Sequence, residues 1–333
     1  MIPIGTEHPY DQLAPDTVLD ALTAAGLSGD GRLLALNSYE NRVYLAHLDD
    51  GSAVVLKFYR PQRWSDAQIE EEHAFAEALA ADEVPVVAPL RLQGRTLHHH
   101  AGFAYSISPR RGGRRPELDD PAVLEWIGRF LARLHGVGAT HPFAQRPALD
   151  ADTFGSEPLA WLLAHDGLPL EMRARWQAAA EAAVALARQR LAGVPARVLR
   201  LHGDCHPGNI LWTPEGVAGA GPHFVDLDDA RSGPAVQDLW MLLSGDRGQQ
   251  QAQLGALLDG YEQVRDFDRR ELALIEPLRT LRLLHYSVWL ARRWHDPIFP
   301  PNFPWFGTPA YWQEQTQQLW DQVEAMQAPA LVA

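Results

Sequence analysis

Lysine is almost absent from this chain of 333 residues: of 29 basic side chains one is lysine, Lys57, and the others are arginine. Cysteine is equally scarce. The single Cys205 excludes an internal disulfide framework. No apolar run approaches the roughly 20 residues that cross a bilayer. The first residues, Met1 to Tyr10, carry neither the basic region nor the apolar stretch of a secretion signal. These absences predict a cytoplasmic protein with no membrane partner. Net positive charge is missing too: the formal charge is −13 and the pI is near 5.5. Proteins that grip nucleic acid through its phosphates present a net basic face, so nucleic acid is not an expected partner. The acidity is read as serving solubility.

What is present is an ordinary globular balance, 46% hydrophobic and 21% charged, in a chain long enough for two sizeable cores. Asn41 to His47 reads as a strand. A turn at Asp49-Asp50-Gly51-Ser52 leads to a second strand, Ala53 to Tyr59, which suggests a hairpin. Ser65 and Gln68 have capping-box spacing and open a helix running to about Ala81. Further strands are expected over Val86–Leu92 and Phe103–Ser108. Pro109 to Pro116, rich in Pro, Gly and Arg, reads as a hinge. The remainder looks helical over Pro121–His135, Leu170–Leu191, Gly233–Leu243 and Glu271–Trp294. The expected fold is therefore α+β and two-lobed. Residues 1–108 form a small β-rich lobe with one main helix, and 109–333 form a larger, mostly helical lobe.

The chemistry concentrates in a non-helical stretch, Val198 to Arg231. Within His202-Gly203-Asp204-Cys205-His206-Pro207-Gly208-Asn209, Asp204 and Asn209 stand five apart. Asp226 follows the short strand His223-Phe224-Val225. Phosphoryl transfer needs a carboxylate to orient a hydroxyl and accept its proton, and oxygen ligands that hold Mg²⁺ against the phosphates. Asp204 suits the first task, and Asn209 with Asp226 suits the second. A turn or cap role, the usual fate of an Asp, explains any one of these acids but not their order and spacing together. Asp228 stays open between supporting the metal and capping a helix.

Lys57 lies within Val54-Val55-Leu56-Lys57-Phe58, on the strand before the small-lobe helix. Solvent exposure at a sheet edge is the plain reading, and pairing with ATP phosphates the functional one. A helical glutamate is its expected partner. At about 100° per residue, Glu72 falls within the apolar stripe of Ile69, Phe75 and Leu79, whereas Glu71 and Glu70 fall towards or beyond its edge. A glutamate within a core-facing stripe is costly unless paired, so Glu72 is preferred to Glu71. Neither Gly-x-Gly-x-x-Gly nor Gly-x₄-Gly-Lys occurs in the chain. Its place is taken by Leu36 to Asn41, where Ser38 and backbone amides could meet phosphate oxygens. From that segment alone a plain β-turn is the preferred reading.

These residues resemble the aminoglycoside phosphotransferase and choline kinase-like superfamily, with its His-Gly-Asp-x-x-x-x-Asn loop, protein kinase fold and frequent lack of a glycine-rich loop. Asn37–Tyr44, Val55–Pro61, Leu201–Trp212, Phe224–Leu243 and the late segment Arg292–Trp305 are similar to a bacterial stress response kinase family within it. The resemblance covers nearly the whole chain. It implies a monomeric, cytoplasmic serine/threonine protein kinase that uses ATP and Mg²⁺. By position it implies Asp204 as proton acceptor, Asn209 and Asp226 as Mg²⁺ ligands, and Ser38 at the ATP site. Pro214 to Pro222 is an insertion, expected to lengthen a hairpin before Asp226. The rival within enzymes is a small-molecule kinase acting on an alcohol such as an aminoglycoside, choline or homoserine. The rival outside them is a pseudokinase binding module, which would need a lost lysine, base or metal ligand.

Other features carry plainer expectations. Asp238 should brace the catalytic loop, and His202 should orient it. His98-His99-His100 reads as a loop turn rather than a metal site, for want of partner ligands. Cys205 is expected to be inert. Arg110, Arg111, Arg114 and Arg115 read as a solvated hinge or as a receiver of an acidic or phosphorylated partner. The aromatics from Phe299 to Trp312 either wall an acceptor cleft or pack under the large lobe.

Overall fold

A computed structural model describes residues 8–165 and 167–333; most of the Met1–Tyr10 segment lies outside them. Two compact units form. One comprises the chain through Pro116 with Phe143–Arg146 and Gly208–Ala230; the other comprises Glu117–Pro142, Pro147–Pro207 and Arg231–Ala333. The α+β class expected from sequence is the class observed.

The first unit is built on α1 (Pro15–Ala24), β1 (Gly29–Leu36), β2 (Arg42–Leu48), β3 (Ala53–Phe58), α2 (Asp66–Ala81), β4 (His98–His100) and β5 (Phe103–Pro109). Its strands make one antiparallel sheet in the order β1-β2-β3-β5-β4. The β2–β3 turn works as its residues suggest: Gly51 takes φ 84°, and the Asp50 carboxylate accepts from Ser52 N at 2.9 Å. On β3, alternation sends Val54, Leu56 and Phe58 into a core with Phe103, Tyr105 and Ile107, covered by Val18, Ala21 and Leu22 of α1. Lys57 is thereby left on the opposite face. Helix α2 has the expected capping box, Ser65 with Gln68, and buries Ile69, Glu72, Phe75 and Leu79.

Two differences from expectation have simple causes. Val86–Leu92 is not a strand; it makes only isolated bridges, Val86 with Phe224 and Leu92 with Arg95, because Pro89 within it cannot donate to a ladder. His98–His100 is a strand rather than a loop turn; the turn falls one step later, at Ala101 and Gly102, both left-handed.

Strands β6 (Leu199–Leu201), β7 (Ile210–Thr213), β8 (Gly221–Phe224) and β9 (Arg231–Gly233) follow. The β7–β8 hairpin belongs to the first unit. Phe224 N donates to Pro85 O at 2.7 Å, and Arg114 and Trp212 exchange both backbone bonds. A single boundary at 108/109 does not capture this segment, which returns to the first unit from about a hundred residues further along the chain.

In the second unit, α3 (Pro121–Gly138) crosses a later helix closely. A Cβ on Gly128 would sit 2.0 Å from Leu257 O, and one on Gly260 would sit 1.9 Å from Glu125 O, so only glycine permits the approach. Next come α4 (Glu157–Ala164), the alanine-faced α5 (Leu170–Ala192), α6 (Val236–Trp240), α7 (Arg247–Tyr261), α8 (Ile275–Arg293), α9 (Phe299–Asn302) and α10 (Pro309–Gln327). Helix α6 is shorter than the expected Gly233–Leu243 because Arg231–Gly233 pairs with β6 as β9. A 3₁₀ turn, Arg269–Leu274, precedes α8 where one helix was expected. The late aromatics pack. Phe299 and Trp312 are fully buried, and Trp312 meets Trp176 edge to face at 5.8 Å, while Trp305 remains partly exposed. Among the described residues no helix is long and apolar enough to cross a membrane.

Candidate active site

Register places the proposed cation ligands together. Ile210 pairs with Phe224, and Val225 N donates to Asn209 O at 3.0 Å, so Asn209 and Asp226 stand at the same end of the β7–β8 hairpin. Asp226 has φ 61°, a left-handed conformation rare outside glycine that re-aims its carboxylate as the strand ends. That carboxylate is about half exposed, open to a further ligand.

Lys57 reaches it. Nζ lies 2.8 Å from Asp226 Oδ1 and 3.4 Å from Asp228 Oδ1, and 5.1 Å from the centre of the Tyr59 ring. Burial alone would drive the ammonium towards neutrality. The Asp226 and Asp228 carboxylates outweigh it and hold the Lys57 pKa well above the usual lysine range.

The expected Lys57–Glu72 pair is not formed. Helical geometry chose the buried glutamate correctly: Glu72 is 6% exposed. The two aspartates, however, hold the ammonium, and Glu72 acts on it only through its charge. Glu72 Oε2 has no hydrogen-bond partner. Burial pushes its carboxyl up to about 7, against the pull of Lys57 and Arg146. Glu71 turns the other way and accepts from the backbone amides of Ala144, Gln145 and Arg146 at 2.5, 2.8 and 2.7 Å. It anchors a distant piece of chain to α2.

Asp228, open between metal support and a helix cap, is held as a buried, partnered acid rather than as a plain cap. It is 3% exposed, accepts from Asn41 Nδ2 at 3.0 Å and from Arg63 Nη1, and its pKa is lowered: burial would raise it, but Lys57 and Arg63 prevail. Asn41 in turn accepts from Arg60 N at 3.0 Å. Arg146 donates to Ala230 O at 2.8 Å and to Asp228 O, fixing the backbone just after Asp226. Sequence reasoning missed Asn41, Arg63 and Arg146 as members of this network. Their only signal is the cost of burying Asp228 without partners. Ser38 lies in the β1–β2 turn and donates its hydroxyl to Asn41 O at 3.0 Å, closing the turn.

In the second unit, Asp204 follows β6. Asp238 of α6 accepts from the amides of His202 at 2.9 Å and Gly203 at 2.8 Å, and its other contact is His135 Nε2 at 3.1 Å. Gly203 has φ 83°, and Gln237 donates to its carbonyl at 3.1 Å. The expected brace is therefore present, with His135 an addition to it. The buried Glu271 carboxylate accepts from Val236 N at 3.0 Å and so holds the start of α6. Arg282 of α8 places Nη1 2.8 Å from Asp204 Oδ1, an ion pair without hydrogen-bond alignment, and His206 Nε2 lies 3.6 Å from Oδ2. Cys205 is buried, which raises its thiol well above the usual range and keeps it protonated.

Hard oxygen donors from an amide and a carboxylate at one hairpin end fit Mg²⁺, which binds few protein ligands and keeps room for phosphate and water. Among the described residues, no group of three His, Cys, Asp or Glu forms a competing metal cluster.

The described arrangement is that of a phosphotransferase, and the comparisons agree. Residues 32–275 match the phosphotransferase enzyme family, and the chain belongs to it. It is 46% identical over 322 residues, 97% of this chain and 96% of the relative, to serine/threonine protein kinase RdoA of Salmonella typhimurium. It is 45% identical over 328 residues, again 97% and 96%, to stress response kinase A of Escherichia coli. A solved structure of the amicoumacin kinase hAmiN, in complex with AMP-PNP, Ca²⁺ and Ami, superposes with a TM-score of 0.71 at 19% identity, covering 95% of this chain and 94% of that one. A microcompartment-associated aminopropanol kinase superposes at 0.68 with 20% identity, covering 93% and 96%.

Proposed function

We propose that the protein is a serine/threonine protein kinase of the stress response type, transferring the γ-phosphoryl group of ATP to protein hydroxyls as a cytoplasmic monomer. The observation that carries the reading is the Lys57–Asp226 ion pair at the hairpin end shared with Asn209. Identity of 45–46% to two named protein kinases along nearly the whole chain supports the acceptor class.

In this reading Lys57 holds phosphate oxygens as a compact charge. Asn209 and Asp226 hold Mg²⁺, which when bound neutralises phosphate charge. Asp204 orients the acceptor hydroxyl and takes its proton. Asp238 holds the loop that presents Asp204, and Glu72 tunes the charge around Lys57. Ser38 lines the nucleotide site from the β1–β2 turn.

The test is incubation with labelled ATP and Mg²⁺, offering a generic protein substrate beside a panel of amino alcohols. Label should enter serine and threonine of the protein. Transfer confined to a small alcohol would replace this reading with that of a small-molecule kinase.

A further inference from the structure

Asp204 is held from two sides within the second unit. Asp238 fixes the backbone before it through the His202 and Gly203 amides. The side chain meets a different element: Arg282, midway along α8, places Nη1 2.8 Å from Asp204 Oδ1. The transfer chemistry set out for Lys57, Asp204, Asn209 and Asp226 leaves this arginine unused.

The pair is built from rigid parts. Leu281 and Leu284, beside Arg282 on α8, are fully buried, so the helix that carries the guanidinium is anchored in the core. Arg279, one turn earlier, is engaged elsewhere: it donates to Glu276 at 3.0 Å and to Gln250 of α7 at 3.1 Å. Asp204 Oδ1 is buried against Arg282, whereas the side chain as a whole keeps 20% exposure. That leaves Oδ2, with His206 Nε2 3.6 Å away, as the oxygen an acceptor can reach.

The two oxygens of a carboxylate are chemically equivalent, and only a fixed orientation makes one of them the base. A buried anionic oxygen also needs a countercharge. Arg282 meets both needs, since its charge draws Oδ1 inward and so turns Oδ2 outward. We propose that Arg282 is a positioning residue for phosphoryl transfer, holding the Asp204 carboxylate by Oδ1 so that Oδ2 takes the acceptor proton. In that step the acceptor O–H bond breaks and its proton passes to Oδ2. The acceptor oxygen bonds to the γ-phosphorus of ATP, and ADP leaves with the electron pair of the broken P–O bond. Arg282 keeps its protons throughout. The inference rests on the reading of Asp204 as proton acceptor, and Arg282 acts only through that residue.

The test is a double-mutant cycle on the full chain, read as transfer of label from ATP to a generic protein. Arg282→Gln should lower kcat by about 10²-fold, the cost of a catalytic group misplaced by an ångström, with KM for ATP within a few-fold of wild type. In the Asp204→Asn background the same substitution should cost about twofold or less, since no base remains to be oriented. Arg282→Ala should regain activity saturably with added guanidinium ion, which a purely structural role would not allow. Thermal unfolding of the Arg282 variants should stay close to that of wild type, because the side chain is partly exposed. Near wild-type kcat in Arg282→Gln would overturn the proposal while leaving the kinase reading in place. So would equal losses in the two backgrounds, or an Arg282→Ala variant that guanidinium does not restore. Unchanged turnover in Asp204→Asn alone would instead remove the base reading, and the proposal with it.

Discussion

Lys57 Nζ and Asp226 Oδ1 lie 2.8 Å apart, across 169 residues of sequence. One belongs to the third strand of the five-stranded sheet and the other to the end of the β7–β8 hairpin of the same unit. Both are oriented by backbone: Lys57 by strand alternation against Leu56 and Phe58, Asp226 by its left-handed φ. The pair needs a compact cation. Lys57→Arg should not rescue Lys57→Met, because a planar fork cannot occupy the space of an ammonium between two carboxylates. Both variants should lose on the order of 10²-fold or more in kcat/KM with ATP. Steady-state kinetics checks this; an arginine variant near wild-type activity would contradict it.

Asp204→Asn keeps the shape of the loop but removes the proposed proton acceptor. Turnover should fall by about 10²–10⁴-fold, the range for a lost general base, while nucleotide affinity stays within a few-fold of wild type. Calorimetric titration with a non-hydrolysable ATP analogue, beside an activity assay, separates the two effects. Retained activity would move the base elsewhere.

Asp238→Ala should act on the same loop indirectly. It leaves the His202 and Gly203 amides and His135 without their acceptor in a fully buried place. An unmet buried donor costs about 1–3 kcal/mol. The variant should therefore lose stability as well as kcat, measured by urea unfolding and by kinetics. Loss of kcat with unchanged stability would give Asp238 a direct chemical role instead.

Glu72 supplies a pH dependence. Its carboxyl is raised to about 7 in the folded protein from 4.5. The folded state thus binds its proton more tightly than the unfolded state does. Its contribution to stability is greatest below about 4.5, declines as pH rises towards 7 and levels off above that. Such a shift corresponds to about 3 kcal/mol at full ionisation. Glu72→Gln should flatten the stability profile between pH 5 and 8 relative to wild type, gaining most at the alkaline end. Urea unfolding across that window reads it directly; parallel profiles would contradict the assignment.

The residues proposed to carry the chemistry were chosen on local constraints. Order and spacing picked out Asp204, Asn209 and Asp226; strand context picked out Lys57; helical angle picked out the buried Glu72. The partners of Asp228 were not legible. Asn41, Arg63 and Arg146 come from three separate segments, and only tertiary packing tells which arginine among so many meets a buried acid. The same limit explains the Lys57–Glu72 error. Periodicity reports which glutamate is buried, but not that two aspartates far along the chain reach the ammonium first. That β7–β8 falls in the first unit was not legible for a related reason, since its backbone bonds to Pro85, Val87 and Arg114 leave no pattern in composition.

The central claim is that the single lysine holds the ATP phosphates, and the scarcity of lysine makes it unusually direct to test. An amine-reactive ATP analogue has one side-chain amine to find in this chain. Peptide mapping by mass spectrometry after labelling should place the adduct on Lys57, and excess ATP with Mg²⁺ should protect it. Labelling confined to the N-terminal amine, or Lys57 labelling that ATP does not diminish, would contradict the account.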